Sequence, residues 1–598
     1  MTLARHLALA IDDERGRWII ANSRRCDMGH GHPHTHDHSH DHDHDHGSTP
    51  DALDLSIPDS ELSPADVSRR GFLRSAGLLG AAAGLTGAGT AAGVLGTPDI
   101  AVAHGGSSQT GGFTWKAGDH HIHTQYSSDA KYRVADHVQH GLAYGLDWLV
   151  ITDHGGATHA KIGVEKVNPD IVAARETFPE ALVFQGLEWN IPAAEHGTII
   201  VHPGKKEVEV LKEFETNFDG SVKGASSQSA ANEALAIAGL NFLAAAKKNR
   251  RVSDAMFFAN HPSRKGLDSP HEIRGWRDAQ PEIALGFEGA PGHQAAAIPT
   301  AAFGPGGGRG FYDSSPGADS FPAYPLESYR TWGGFDWMTS TVGGLWDSLL
   351  AEGKPWWITA NSDSHNVLWD TSIRGAGSDF NANGRYNDPQ HGVKPDVTAG
   401  DFWPGFYSRT HVGAAGDDYR HVMDGLRAGR VWVDHGGLIK SLDVRARVQG
   451  DRNRRGGTPL GGVLKVRKGT AVEVTIDVEL ADKPNWAQLL PVLARVDLIQ
   501  GAVTGAAADR DVFTAPRTKV VTSFEVAKGT KRVSFTYSFG RVSSPFYFRV
   551  RGTDGNFTQA GIYGAAVDPV GPKLDVVGDA DPWLDLWFYA NPIWVLPS

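Results

Sequence analysis

The chain has 598 residues, with 57 Lys and Arg against 69 Asp and Glu and a formal net charge of −12 at pH 7. That balance excludes the broad basic footprint of a general nucleic-acid binder, so no nucleic-acid partner is expected. One cysteine, Cys26, excludes a disulfide-stapled scaffold, and the length allows several domains.

Residues 1–67 read as a disordered leader. From His30 to His46 every even position is histidine, interleaved with Asp, Gly, Ser, Thr and Pro. Such a tract cannot bury an apolar core. It reads either as a metal-loading segment or as a solvated tail that binds metal weakly, as any histidine run does. Residues 68–103 read as a signal peptide. Ser68-Arg69-Arg70-Gly71-Phe72-Leu73-Arg74 matches a twin-arginine export signal, an Ala/Gly/Leu stretch follows from Ser75 to about Gly96, and Ala101-Val102-Ala103 supplies a small-residue cleavage site. The stretch is too rich in glycine for a stable membrane span. The expected partner is the twin-arginine translocation machinery, and the expected destination is the periplasm, the cell surface or the medium. Cys26 precedes the cleavage site, so the mature chain would contain no cysteine.

Beyond the signal, Asp119-His120-His121-Ile122-His123-Thr124 holds an Asp-x-His-x-His pattern. Residues two apart on a strand share a face, so His121 and His123 point into one site. Paired imidazoles are a common start for a zinc, manganese or iron site. Downstream, short apolar runs repeatedly end in potential ligands. Trp148–Thr152 leads to Asp153-His154, Ala181–Leu187 to Glu188, Met256–Asn260 to His261, and Trp356–Ala360 to Asn361-Ser362-Asp363-Ser364-His365. Such runs suit strands buried on both faces. Between them lie helical stretches such as Val134–Tyr144, where Val134, Val138 and Leu142 recur every four residues. Alternating strands and helices imply a parallel α/β fold, with the site at the strand C-termini if it closes into a barrel.

A Gly/Pro/Ser-rich insert spans about 289–334, as in Gly304-Pro305-Gly306-Gly307-Gly308, with Glu288 and His293 at its mouth. Such a segment suits a lid or binding loop. Glu288 either shapes a pocket or makes a loop salt bridge. Asp417–Gly429 reads as the last helix of this domain, with Gly429 as its stop. After Gly437 the pattern changes to period two. Val472, Val474, Ile476, Val478 and Leu480 share one face, and Val533, Phe535, Tyr537 and Phe539 alternate likewise, as do Phe546, Phe548 and Val550. This argues for an antiparallel β-sandwich over 438–598. The aromatic end, Trp583, Trp587, Phe588, Tyr589 and Trp594, is expected to dock on a core.

The ordered set Asp-x-His-x-His-Thr, Thr-Asp-His, Gly-x-Glu, Asn-His-Pro and Ser-Asp-Ser-His resembles the PHP (polymerase and histidinol phosphatase) family of metal-dependent phosphoesterases, over about residues 113–437. The resemblance implies a distorted (β/α)7 barrel and two or three divalent metal ions, zinc, manganese or iron. It implies that His121 and His123 hold a first metal with Glu188 and Asp363. Glu188 would bridge to a second metal held by His261 and either His196 or His202. His196, which precedes the run Thr198–Val201, is the preferred one. His154, His365 and Asp129 would hold a third metal. Asp129 stands where many family members carry histidine.

The implied activity is hydrolysis of phosphate mono- or diesters of a small-molecule substrate by a hydroxide held between metals. Glu188 and Asp363 would act as bridging carboxylates. Asp119 would orient a ligand imidazole, as would Asp153 beside His154. Arg264 and Lys265 either contact a phosphate oxygen or are surface charges. Competing readings are a metallohydrolase acting on amide or carboxylic-ester bonds, and a metal-binding protein without catalysis. Replacing Arg69 and Arg70 by lysine is expected to retain the protein inside the cell. Fractionation of the variant, with N-terminal sequencing of exported wild-type protein for a start near His104, checks this.

Overall fold

The computed structural model describes residues 112–298, 309–312, 315–451, 456–555 and 581–598. The histidine-rich leader, the export signal, Cys26 and the Gly304–Gly308 run lie outside them. All described residues belong to one compact unit, Ser68–Ser598. Among them, no helix is long and apolar enough to cross a membrane.

The α/β alternation is present. Strand β1 (Thr114–Ile122) is followed by α1 (Val134–Ala143), β2 (Trp148–Ile151), α2 (His159–Thr177) and β3 (Leu182–Asn190). These three strands pair in parallel, β1 with β2 and β2 with β3. Strand β4 (His196–Val201) breaks the pattern, because it runs antiparallel to both β3 and β5 (Ala255–Ala259). Only residues 191–195 separate β3 from β4, which is too short for a parallel crossover. Helices α3 (Glu207–Phe218) and α4 (Ala230–Lys248) fill the return to β5. Helix α5 (Pro270–Ala279) then leads to β6 (Ala284–Ala290), and α6 (Leu345–Ala351) to β7 (Trp357–Ala360). Both strands extend the sheet in parallel. Helix α5 starts sharply because Ser269 and Glu272 form a capping box with Pro270 in the first turn.

The seven strands curl towards a ring that no continuous ladder closes. Beyond β7, Ser364 makes one parallel bridge to Ile122, and His123 N donates to Ser364 O at 3.0 Å. The ladder edge of β1 is instead taken by β8 (Ser408–Ala414), which is antiparallel to β1 and to β9 (Val431–His435). The open edge of β7 is satisfied by side chains. Thr410 Oγ1 accepts from Ala360 N at 2.8 Å and donates to Ala360 O at 2.6 Å, and Asn591 Oδ1 accepts from Ile358 N at 3.0 Å. A closed hydrogen-bonded barrel is therefore not what forms. Helix α7 (Tyr419–Arg427) lies between β8 and β9, and just past its end Gly429 takes φ +64°, the left-handed conformation a glycine adopts without strain.

The remaining chain folds as β10 (Ile439–Val448), β11 (Val463–Val466), β12 (Ala471–Leu480), β13 (Arg495–Ala502), β14 (Lys519–Glu525), β15 (Arg532–Arg541), β16 (Phe546–Thr553), β17 (Trp587–Ala590) and β18 (Ile593–Pro597). Strands β10, β12 and β15 form a separate antiparallel sheet. The other six extend the large sheet, because β17 pairs with β9. The face Val472, Val474, Ile476 and Val478 is buried in one apolar cluster with Val496, Leu498, Phe548 and Val550. The aromatic end docks as expected. Trp587, Phe588, Tyr589 and Trp594 are buried, and Trp594 Nε1 donates to Leu350 O at 3.3 Å.

One buried ion pair ties β16 to α6. Arg549 on β16 meets Asp347 in a fork, Nε to Oδ1 at 2.9 Å and Nη2 to Oδ2 at 2.8 Å, with both side chains fully buried. Arg549→Ala leaves that carboxylate buried without its partner. The expected loss is about 3–5 kcal/mol, measured by denaturant-induced unfolding.

Candidate metal centre

Ligand-type side chains from six strands meet at one end of the sheet. Strand β1 supplies His121 and, just past its end, His123, while β3 supplies Glu188. The segments that follow β2, β5 and β7 supply His154, His261, Asp363 and His365. His196 is the first residue of β4. Because β4 runs backwards, its start lies beside the C-terminal ends of its neighbours. Asn190 on β3 pairs with His196, and Gly197 pairs with Ala259 at the end of β5. His202, at the other end of β4, donates its backbone N–H to Asp254 just before β5, and its ring pairs with the Pro203 carbonyl.

Glu188 and Asp363 are the hubs. Glu188 Oε1 lies 3.0 Å from His121 Nε2, 3.0 Å from His196 Nδ1 and 3.3 Å from His261 Nε2, and Oε2 lies 2.5 Å from His154 Nδ1. Asp363 Oδ1 lies 3.1 Å from His121 Nε2 and 3.2 Å from His123 Nε2. At the outer rim Asp129 Oδ2 lies 3.1 Å from His154 Nε2, and Oδ1 lies 3.6 Å from His365 Nε2. Among the described residues, four triads bring one ligand atom each within 4.8 Å of one another. They are His121/His123/Asp363, His123/His154/His365, His154/Glu188/His196 and His293/Asp363/His365.

Several rings have their tautomer set from behind. His121 Nδ1 lies 2.7 Å from Glu288 Oε1, which can only accept. His123 Nδ1 lies 3.0 Å from Ser127 Oγ, whose own proton goes to Asp153 Oδ1 at 2.8 Å. His365 Nδ1 lies 2.8 Å from the Asp363 carbonyl. Each Nδ1 therefore donates, and each Nε2 turns a lone pair inward. The Nε2 atoms of His121 and His123 sit 2.9 Å apart, lone pair towards lone pair. Glu188 Oε2 and Asp363 Oδ1 are buried and close to histidine nitrogens, but none of those contacts has hydrogen-bond geometry. Converging lone pairs and orphaned carboxylate oxygens fit divalent cations between them.

The electrostatics agree. Burial alone would raise the Glu188 and Asp363 carboxyls, yet the surrounding imidazoles hold both well below the usual range. Burial would likewise lower His121 and His154, yet carboxylates hold both well above the usual histidine value. Burial and the neighbouring His365 and His154 push His123 well below it. The two carboxylates thus demand positive charge at the cluster's centre, as protons on some rings or as metal ions. His261 and Asp363 hold φ of +31° and +45°, strained values for residues with a Cβ.

The cluster floors a cleft of about 500 Å³ with Arg264, His293, Phe311 and Asp401 in its walls. Residues 119–235 match the family model of the PHP domain. A two-domain protein from Bacteroides vulgatus ATCC 8482, containing a predicted PHP-like metal-dependent phosphoesterase, is similar over 79% of this chain and 96% of its own, at 14% identity and a TM-score of 0.30. No curated protein matches the chain. The matched residues include His121, His123, Asp129, His154, Glu188 and His196. His261, Asp363 and His365 lie beyond them and are joined to them by the geometry above.

Three roles read from the sequence differ in the structure. Asp119 orients no ligand ring. It accepts from His121 N at 3.0 Å and Ser362 N at 2.9 Å, tying the two ligand-bearing segments together, and burial raises its carboxyl to about 7. Asp153 serves Thr124 and Ser127, and through Ser127 the His123 ring and the His154 backbone N–H, whereas the His154 ring meets Asp129 and Glu188. Glu288 is neither a pocket wall nor a loop salt bridge. It is a fully buried β6 residue that receives His121 Nδ1 and the His261 N–H, the latter at 2.7 Å. It follows the apolar run Ala284–Phe287 as the other ligands follow theirs, but that spacing does not say which groups its carboxylate faces. Arg264 and Lys265 both pair with buried Glu195, at 3.1 and 2.9 Å. Asn260, which donates to Glu188 Oε1 at 3.1 Å, and Asp401 were not singled out by spacing.

His196→Ala is expected to lower the metal content of the protein, whereas His202→Ala leaves it unchanged. Elemental analysis of the two purified variants reads the difference.

Proposed function

We propose that the protein is an exported hydrolase that cleaves phosphate mono- or diesters of a small molecule at a centre of two or three divalent ions. The observation that carries this reading is the convergence of His121, His123, His154, His196, His261 and His365 on Glu188 and Asp363, in a chain whose residues 119–235 match the PHP model. Export is supported by Ser68–Arg74 and the small-residue site at Ala101–Ala103.

Bound divalent ions would supply an activated water and neutralise phosphate charge. The chain's own residues do the rest. Glu188 and Asp363, each facing several imidazoles, fix the spacing of the positions between them. Ser127 and Glu288 keep the His123 and His121 lone pairs aimed inward. The Arg264 guanidinium, steadied by Glu195, lies in the cleft wall where it can receive a phosphate oxygen. Phe311 contributes an apolar, exposed ring to the cleft wall.

Mature protein loaded with zinc, manganese or iron is expected to hydrolyse aryl phosphate mono- or diesters, and chelation should abolish the rate until metal is restored. Glu188→Gln and Asp363→Asn should each remove activity by about 10²-fold or more, and the double variant should be little worse than either alone. Arg264→Met should raise KM more than it lowers kcat. Full metal content with no phosphoester hydrolysis by wild-type protein would refute the reading.

A further inference from the structure

At the mouth of the insert, His293 stands outside the nine residues discussed above. Its ring is held like theirs. Nδ1 lies 2.5 Å from Asp401 Oδ1, so Nδ1 donates, and Nε2 faces Asp363 Oδ2 at 2.8 Å. Asp363 Oδ1 already faces His121 and His123, so the carboxylate looks towards two separate positions, one through each oxygen. His365 completes the outer one, with its ring stacked 5.4 Å from that of His293.

The surrounding chain is built to hold this arrangement. Asp401 Oδ2 accepts from His365 N at 2.6 Å and Asn366 N at 2.7 Å, so one carboxylate fixes both histidines. His293 takes φ +57°, a strained value for a residue with a Cβ. It donates its backbone N–H to Ser362 O at 3.2 Å. Gly292 permits that approach, since a Cβ there would lie 2.3 Å from the Asp363 Cβ. A histidine kept only to fill space would need neither a fixed tautomer nor a strained backbone.

We infer that His293 and Asp363 Oδ2 add two ligands to the outer divalent-cation position that His365 faces, with Asp401 orienting the His293 ring. Imidazole and carboxylate ligands at the mouth of the cleft suit zinc, manganese or iron(II). This inference rests on the metal-centre reading above. It adds a ligand from the segment that follows β6, at the mouth of the insert.

Full-length mature protein, its His293→Ala and His293→Gln variants, and Asp401→Asn are saturated with zinc or manganese, desalted and analysed for metal per chain. They are then titrated with chelator, and thermal melting monitors the fold. Both His293 variants should hold one equivalent less than wild type. Asp401→Asn should release that equivalent at about 10- to 100-fold lower chelator concentration. Glutamine fills similar space and can still donate to Asp401, so it carries the test if the alanine variant unfolds. Folded His293 variants with wild-type metal content and chelator resistance overturn the inference and leave the other positions standing. Wild-type protein that retains no stoichiometric metal overturns both this inference and the proposed function.

Discussion

Two carboxylates buried among imidazoles set the terms for this structure. Glu188 and Asp363 are nearly inaccessible to water, and each lies within 3.5 Å of several histidine nitrogens. A buried negative charge is tolerable only when positive charge or hydrogen bonds surround it. Much of the adjacent architecture serves that condition. Asp119 joins the His121 and Ser362 backbones, Asn260 donates to Glu188, and Glu288 clamps His121 together with the His261 loop. Removing one of these supports would loosen several ligands together.

The open ring follows from what surrounds β7. A barrel closed by a β1–β7 ladder would use the edge of β1 that β8 occupies. The free groups of β7 are met by Thr410 and Asn591, one residue from β8 and one from the C-terminal strands. The C-terminal strands therefore complete the same sheet and bear on the domain that holds the cluster. The Arg549–Asp347 fork adds a second tie between those strands and α6.

Most of the candidate site was legible because metal ligation constrains residue type and strand ends constrain position. Asp-x-His-x-His, Thr-Asp-His and Ser-Asp-Ser-His combine the two, and each lies where an apolar run stops. Glu288 obeys the same rule, yet its role was missed because no sequence pattern reports which imidazole a carboxylate will face. His293 and Asp401 lie in irregular chain, where neither period nor propensity fixes the direction of a side chain.

The sequence by itself determined the α/β alternation, the change to period-two strands after Gly437, and the ligand chemistry of the site, because periodicity and residue type are local properties. Tertiary structure placed His196, not His202, beside Glu188, since the antiparallel course of β4 turns the start of that strand, not its end, towards the cluster. It also decided which oxygen of Asp363 faces which histidine, why the ring stays open at β7, and that the C-terminal sheet continues the first. Those outcomes depend on contacts between segments far apart in the chain, and no local pattern encodes the direction from which a distant partner arrives.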